Sequence, residues 1–366
     1  MRVAVALSGG VDSAVTALLL QRRGFNIIGI YMNNWIEDNY HTICPNDDHK
    51  ESAQEVCYKL NIEFKEISFA KTYWHKVFSY LVDSYISGKT PNPDVLCNKF
   101  VKFGSFLNYC VDKLEMDAIA TGHYAGTSYG NFWQHYNCHN AVRLLRPTDK
   151  VKDQTLFLAQ ISQMALKKVM FPLQHLLKSE VKSIAKRNGL QRIANKPESQ
   201  GICFIGKRNF NKFIEQYIEP KVGSFVDIHT KQVVGSHKGI HYWTLGQNCR
   251  IGGMKHKYFV VKKDPQNNII YVTNHTNDIS LYSNQMLVKD INWITCQPKS
   301  LSHRLPFECE MKCQHKDQPQ QCRLIKTDDH YSVHLNLPIR ALTEGQFVVF
   351  YQNDECLGSA PIVNVI

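Results

Sequence analysis

Three groups of residues could do chemistry. The string Ser8-Gly9-Gly10-Val11-Asp12-Ser13 follows an apolar run and opens a helical pattern. A glycine-rich turn between a strand and a helix points backbone N–H groups at an anion, and the helix start adds partial positive charge. Ser8 and Ser13 add hydroxyl donors. No G-x-x-x-x-G-K-[ST] string is present, so this is not a Walker A loop. Asp12 would repel a phosphate unless it holds Mg²⁺ or orients the loop. The second group is Asn92-Pro93-Asp94, three residues ahead of Cys97. The third is Cys203, in the short apolar string Gly201-Ile202-Cys203-Phe204-Ile205. A cysteine attacks as its thiolate, so Cys97 and Cys203 are possible nucleophiles. Asp94 alone would also suit a turn after Pro93.

Most of the other cysteines read as core thiols. Cys309, Cys313 and Cys322 have the spacing C-x₃-C-x₈-C, which lacks a C-x₂-C pair. No zinc site and no tightly bound metal is expected.

The elements that must position these residues follow from periodicity. Residues 2–7 and 26–32 read as buried strands, with a helix between them that stops at Gly24. Residues 47–60 read as a helix, 64–69 as a strand, 73–87 as an amphipathic helix and 117–124 as a strand. This alternation predicts an α/β fold with a doubly wound parallel sheet. After about Gly206 short alternating strands with turn signals take over, and from about Leu287 they suggest a β-barrel or sandwich. The expected domains are 1–205, a small central connector at 206–280 and a C-terminal β domain at 281–366.

The chain has 366 residues and a formal net charge of +11, which favours a polyanionic partner, nucleic acid first. No run of about 18 apolar residues predicts a membrane span. The twelve cysteines form no regular secreted framework, so mostly free thiols in a reducing compartment are expected. The first strand begins at Arg2, leaving no room in this numbering for a signal or transit peptide.

SGGVDS after the first strand resembles the PP-loop of the N-type ATP pyrophosphatases, which adenylate a carbonyl-type oxygen and release pyrophosphate. The loop alone does not choose among their subfamilies. GKTPNPDVLCNKFVKFG (88–104), ATGHYA (120–125), KDQTLFLAQ (152–160), ESQGICFIG (198–206), HKGIHYWTLGQ (237–247) and RALTEGQFVVFY (340–351) do, in that order. Together they resemble the tRNA-specific 2-thiouridylases, the MnmA/TrmU family. GKRNFNKFIEQY (206–217) is similar to the mitochondrial eukaryotic branch, which implies a mitochondrial location, with the cytoplasm as the alternative.

The resemblance implies ATP-dependent exchange of the 2-oxygen of a wobble uridine for sulfur, with Mg²⁺ accompanying ATP. It implies Cys203 as the persulfide carrier, supplied by a sulfur donor protein. Cys97 would release hydrosulfide or assist direct transfer, leaving a Cys97–Cys203 disulfide, which needs Cα atoms within about 7 Å. Asp94 would be the acid/base group beside the target base. Ala6, Leu7, Ser8, Gly9, Gly10, Val11, Asp12 and Ser13 would surround the phosphates. Met32 would contact adenine, and Gly122 would let the nucleotide come close, since it has no Cβ. Asn92, Pro93 and Asp94 would meet a flipped-out base. His123, Lys152, Asp153, Gln154 and, in the β domain, Lys312, Cys313 and Gln346 would touch tRNA. The family has Arg and an aromatic residue where Lys312-Cys313 stands. Lys167, Lys168, Lys178, Lys182, Lys186 and Arg187 would form basic helical patches for phosphates. The Lys, Glu and Gln tRNAs are the expected substrates. Two alternatives are a PP-loop enzyme acting on a small molecule and a catalytically silent RNA-binding protein.

Overall fold

The structure is a computed structural model that describes residues 1–35, 45–197 and 209–366. Cys203 and the 198–206 string therefore lie outside the described residues.

Strand β1 (Arg2–Leu7) is apolar and buried on both faces from Val3 onward, as a central parallel strand must be. Helix α1 (Val11–Arg22) follows. It is rich in small and apolar residues that are buried almost all round, because the sheet lies on one side and helix Lys178–Arg187 on another. It ends at Gly24, whose φ of +79° allows Gly24 and Phe25 to donate back to Gln21 and Leu20. Strand β2 (Asn26–Asn33), helix α2 (Pro45–Leu60), strand β3 (Glu63–Ser68) and strand β4 (Ala118–Ala120) complete most of the first layer.

The sheet runs β3, β2, β1, β4, then Val169–Met170, and every pairing is parallel. The order reverses between β1 and β4. In such sheets ligands bind outside the carboxyl ends of the strands at this switch point. The Ser8–Ser13 loop leaves β1 there, and residues 121–124 leave β4 there.

The expected strand over 117–124 is shorter, ending at Ala120; Thr121 to Tyr124 instead turn into the site. A helical run over Pro93–Asp112, with π-helical geometry at Cys97–Phe106, was not expected. Pi-helical turns recur at functional sites.

A five-stranded sheet forms the central region, and a nine-stranded sheet forms the C-terminal one. The second sheet also takes in Gly126–Thr127 and Leu144–Leu145, a hairpin from the first 205 residues. The β domain is thus stitched to the α/β layer by backbone pairing, not only by linkers.

Candidate active site

The loop after β1 is shaped by its own hydrogen bonds. Gly9 has φ +73°, and a Cβ there would collide with the backbone carbonyl of His49, so only glycine fits. The Ser13 hydroxyl donates to the Gly10 carbonyl at 3.0 Å and accepts from the Ser8 N–H at 3.1 Å. Ser13 is buried, and its proton is committed to the loop. Ser13 thus shapes the turn, and with its proton given to Gly10 it accepts from the exposed Ser8 hydroxyl, 3.2 Å away. The first turn of α1 has no side-chain cap, so its N–H groups face the loop opening. This cradle suits the phosphates of a nucleotide.

Asp12 does not repel such a ligand unaided. Lys178 Nζ lies 2.7 Å from each of its carboxylate oxygens, and the Tyr124 hydroxyl donates to Oδ1 at 3.0 Å. Lys178 opens helix Lys178–Arg187, its backbone N–H held by Asp149 Oδ2 at 2.9 Å. The sequence placed Lys178 in a basic patch for tRNA; it is instead largely buried and turned to the loop.

At Gly122 a Cβ would meet the Ser13 nitrogen at 2.6 Å, so the missing side chain lets the start of α1 come close. Met32 is half-buried at the end of β2 and packs on the adjoining core.

A second cluster forms beside the first. Asn92 caps the next helix, its Oδ1 accepting from Val95 N–H at 3.4 Å, with Pro93 in the first turn. Asp94 and Cys97 are one turn apart, hence on one face. Cys97 is buried among Val95, Leu96, Val101 and Phe213. Burial pushes the Asp94 carboxyl above the ordinary aspartate range, and the Lys102 charge pulls it partly back. Burial, reinforced by Lys102, holds His123 well below an ordinary imidazole, so it is neutral near neutral pH. His123 Nδ1 lies 2.8 Å from Thr121 Oγ1. His123 also packs on Phe103, the residue after Lys102, with ring centres 5.9 Å apart.

The remaining expected contacts divide. Gln154 exchanges two bonds with the Tyr124 backbone, each 2.9 Å, and so braces the turn that carries His123. Lys152 stands next to it, half-buried. Gln346 donates to the Thr90 carbonyl at 2.8 Å, and Thr90 N–H donates to Glu344 O at 3.0 Å, so the β domain holds the segment leading into Asn92-Pro93-Asp94. Asp153 is 1% exposed and bonded to Arg146 Nε at 2.7 Å and Thr155 Oγ1 at 2.6 Å. Lys312 and Cys313 are buried too. Lys312 is lowered from an ordinary lysine by burial, with Asp153 opposing that shift. A buried lysine is kept by such a partner. Asp153, Lys312 and Cys313, expected to touch tRNA, are all buried, and Arg146 is the ion-pair partner of Asp153.

Cys309 and Cys322 face each other across paired strands, Sγ to Sγ 3.6 Å. Among the described residues no group of three His, Cys, Asp or Glu side chains is placed to hold a metal ion. No helix among them is long and apolar enough to cross a membrane.

Sequence reasoning missed Tyr124, Lys102 and the true place of Lys178. Tyr124 and Lys102 stand inside quoted motifs but carry no spacing signal, and Lys178 reads as one of several surface lysines.

Comparison with known proteins adds the family. Residues 1–207 match the tRNA methyl transferase HUP domain, 211–274 the tRNA methyl transferase PRC-barrel domain and 283–362 the aminomethyltransferase beta-barrel domain. The chain is 44% identical over 364 residues to mitochondrial tRNA-specific 2-thiouridylase 1 of Drosophila melanogaster, covering 99% of this chain and 94% of that one. The Homo sapiens protein of the same name is 43% identical over 380 residues, covering 99% and 90%. The tRNA-specific 2-thiouridylase MnmA of Mycoplasma capricolum is 42% identical over 381 residues, covering 100% and 99%. With end-to-end identity at this level and the family model matching residues 1–207, the chain belongs to the tRNA-specific 2-thiouridylase family.

Proposed function

We propose that the chain catalyses ATP-dependent 2-thiolation of the wobble uridine of tRNA. The observation that carries this reading is the strand end 121–124. Through Tyr124 it touches the nucleotide loop at Asp12, and through His123 it packs on Phe103, ring centres 5.9 Å apart, in the helix that carries Asp94 and Cys97. A loop suited to phosphates and an acid/base group for a base are thereby neighbours.

ATP, when bound, supplies the adenylate that makes the uridine 2-oxygen a leaving group. The loop N–H groups would bind its phosphates, with Mg²⁺ arriving alongside them, and Asp12, held by Lys178 and Tyr124, orients the loop opening. Met32 would lie against the adenine. Asp94, raised by burial, takes the N3 proton as the 2-oxygen attacks, a transfer worth roughly 10²–10⁴-fold. His123 stays neutral and adds no competing charge near the base.

Cys203 carries the persulfide. Its terminal sulfur attacks C2 and AMP leaves. Cys97 then attacks the Cys203 sulfur, the S–S bond to the base breaks, and the product keeps the terminal sulfur. In the other order Cys97 attacks first and hydrosulfide is released to attack C2. Either way a Cys97–Cys203 disulfide remains and must be reduced. The tRNAs for Lys, Glu and Gln are the substrates, a persulfide-bearing protein is the donor, and the mitochondrion is the site of action.

The test is thiolation of an unmodified tRNA transcript with ATP, Mg²⁺ and a persulfide donor, read by retardation on a mercury-containing gel. Wild type should incorporate sulfur only with ATP, and Cys97→Ala and Cys203→Ala should not. ATP cleavage independent of RNA, without thiolation, would favour a small-molecule ligase. RNA binding without ATP cleavage would favour a silent binding protein.

A further inference from the structure

A cavity of about 590 Å³ opens where the central region meets the C-terminal sheet. Its walls are the 244–247 turn, the 314–320 loop and the end of strand Tyr331–Arg340. Its size is that of a small-ligand pocket, roughly 300–1,000 Å³. None of its residues belongs to the loop after β1, and none is Asp94, Lys102 or His123.

Its polar lining is mixed. Gln247 Oε1 accepts from Thr244 N–H at 3.0 Å, which presents the amide NH₂ to the outside. Arg340 donates to Gly246 O at 3.3 Å and stands 5.5 Å from the Phe259 ring centre, so its guanidinium is held in place. Asp317 contributes a carboxylate, and Gln314 an exposed amide. Gln320 Oε1 is buried with no hydrogen-bond partner among the described residues. An acceptor left so is costly and points to a missing donor. A phosphate would want donors alone, and Asp317 opposes it. Alternating donors and acceptors around one arginine match the edge of a nucleobase. Single-stranded RNA is read in this way, on unstacked bases.

The cavity is also coupled to the site. The loop bearing Gln314 and Asp317 stacks His315 on Phe157, ring centres 5.1 Å apart. Asn98, next to Cys97, donates to the Phe157 carbonyl at 3.1 Å. We infer that this cavity receives one unstacked base of the RNA substrate, other than the base that is modified. The inference rests on the tRNA-thiolation reading above.

The test compares full-length wild type with Gln320→Ala and Asp317→Asn. The probes are an unmodified tRNA transcript and a series of it, each with one abasic nucleotide in the anticodon loop. Both variants should raise the transcript KM at least about fivefold, the size of one lost base contact, with kcat moving less. One abasic transcript should show the same loss on wild type and no further loss on Gln320→Ala. An unchanged KM in both variants, with melting temperatures like wild type, overturns the inference. So does full additivity with every abasic transcript. Anisotropy of the same labelled transcripts separates the two readings. A wild type that binds without thiolating overturns the thiolation reading, and the abasic comparison of Kd then judges the cavity. A wild type that binds no RNA overturns both.

Discussion

Both carboxylate oxygens of Asp12 lie 2.7 Å from the Lys178 ammonium, across 166 residues of chain. The pair converts a loop that would reject phosphate into one that accepts it. Its two ends come from the first turns of two helices, so their positive ends converge on the same opening. Lys178→Met should strip the compensation and leave Asp12 facing the phosphates. A charge-assisted bond of this kind is worth about 1.5–3 kcal/mol, so the ATP KM should rise about 10- to 100-fold. Adding Asp12→Asn should recover part of the loss, because the unpaired charge goes with it. Pyrophosphate release at varied ATP measures both; equal or greater loss in the double variant would refute the compensation.

Gln346 bonds the Thr90 carbonyl, two residues before Asn92. Its amide nitrogen is thus spent inside the protein, holding the Asn92-Pro93-Asp94 entry against the β domain. Gln346→Ala removes a bond worth about 0.5–1.5 kcal/mol. If Gln346 positions Asp94, kcat for thiolation should fall several-fold while the tRNA KM stays near wild type. A KM that rises at constant kcat would instead mark Gln346 as an RNA contact through its free oxygen.

Asp94 pits function against stability. Its carboxyl is raised above the ordinary 3.8 mainly by burial. At low pH it is protonated in both folded and unfolded chains, and no cost arises. As pH rises through the raised value, the folded state must ionise a buried group, so stability is lost. Asp94→Asn carries no such proton. It should abolish thiolation yet unfold at higher urea than wild type near neutral pH, with the two curves converging in acid. A variant that is less stable at every pH would contradict the burial argument.

The sheet was legible because its strands are short apolar runs and its helices end on Gly24-like signals. The loop was legible as a glycine-rich string of unusual composition. What sequence did not disclose is partnership over distance. Nothing local says that Lys178 turns to Asp12 while Lys182 and Lys186, one and two turns on, do not share that bond. Nothing local says that Asp153 and Lys312, both charged, lie buried under the surface. The helix over 93–112 was missed for a local reason. Its start, Pro91-Asn92-Pro93, reads as a turn, and Gly104 inside it weakens a helix reading.

His123 gives the pH test of the site. Burial first, and Lys102 second, hold its imidazole well below 6.5. Its contribution to stability is therefore full above about 6.5 and declines as pH falls below it, because the unfolded chain takes up a proton that the folded site refuses. One such group gives a slope approaching about 1.4 kcal/mol per pH unit. His123→Asn keeps a polar group near Thr121 but cannot titrate. The stability difference between wild type and His123→Asn, from urea titrations at several pH values, should stay flat above 6.5 and shrink steadily below it. Other histidines held low by burial, such as His237 and His241, cancel in the subtraction. A difference that stays constant through acid would mean that the ring takes up its proton inside the fold. Burial of the ring would then be refuted as what keeps it neutral.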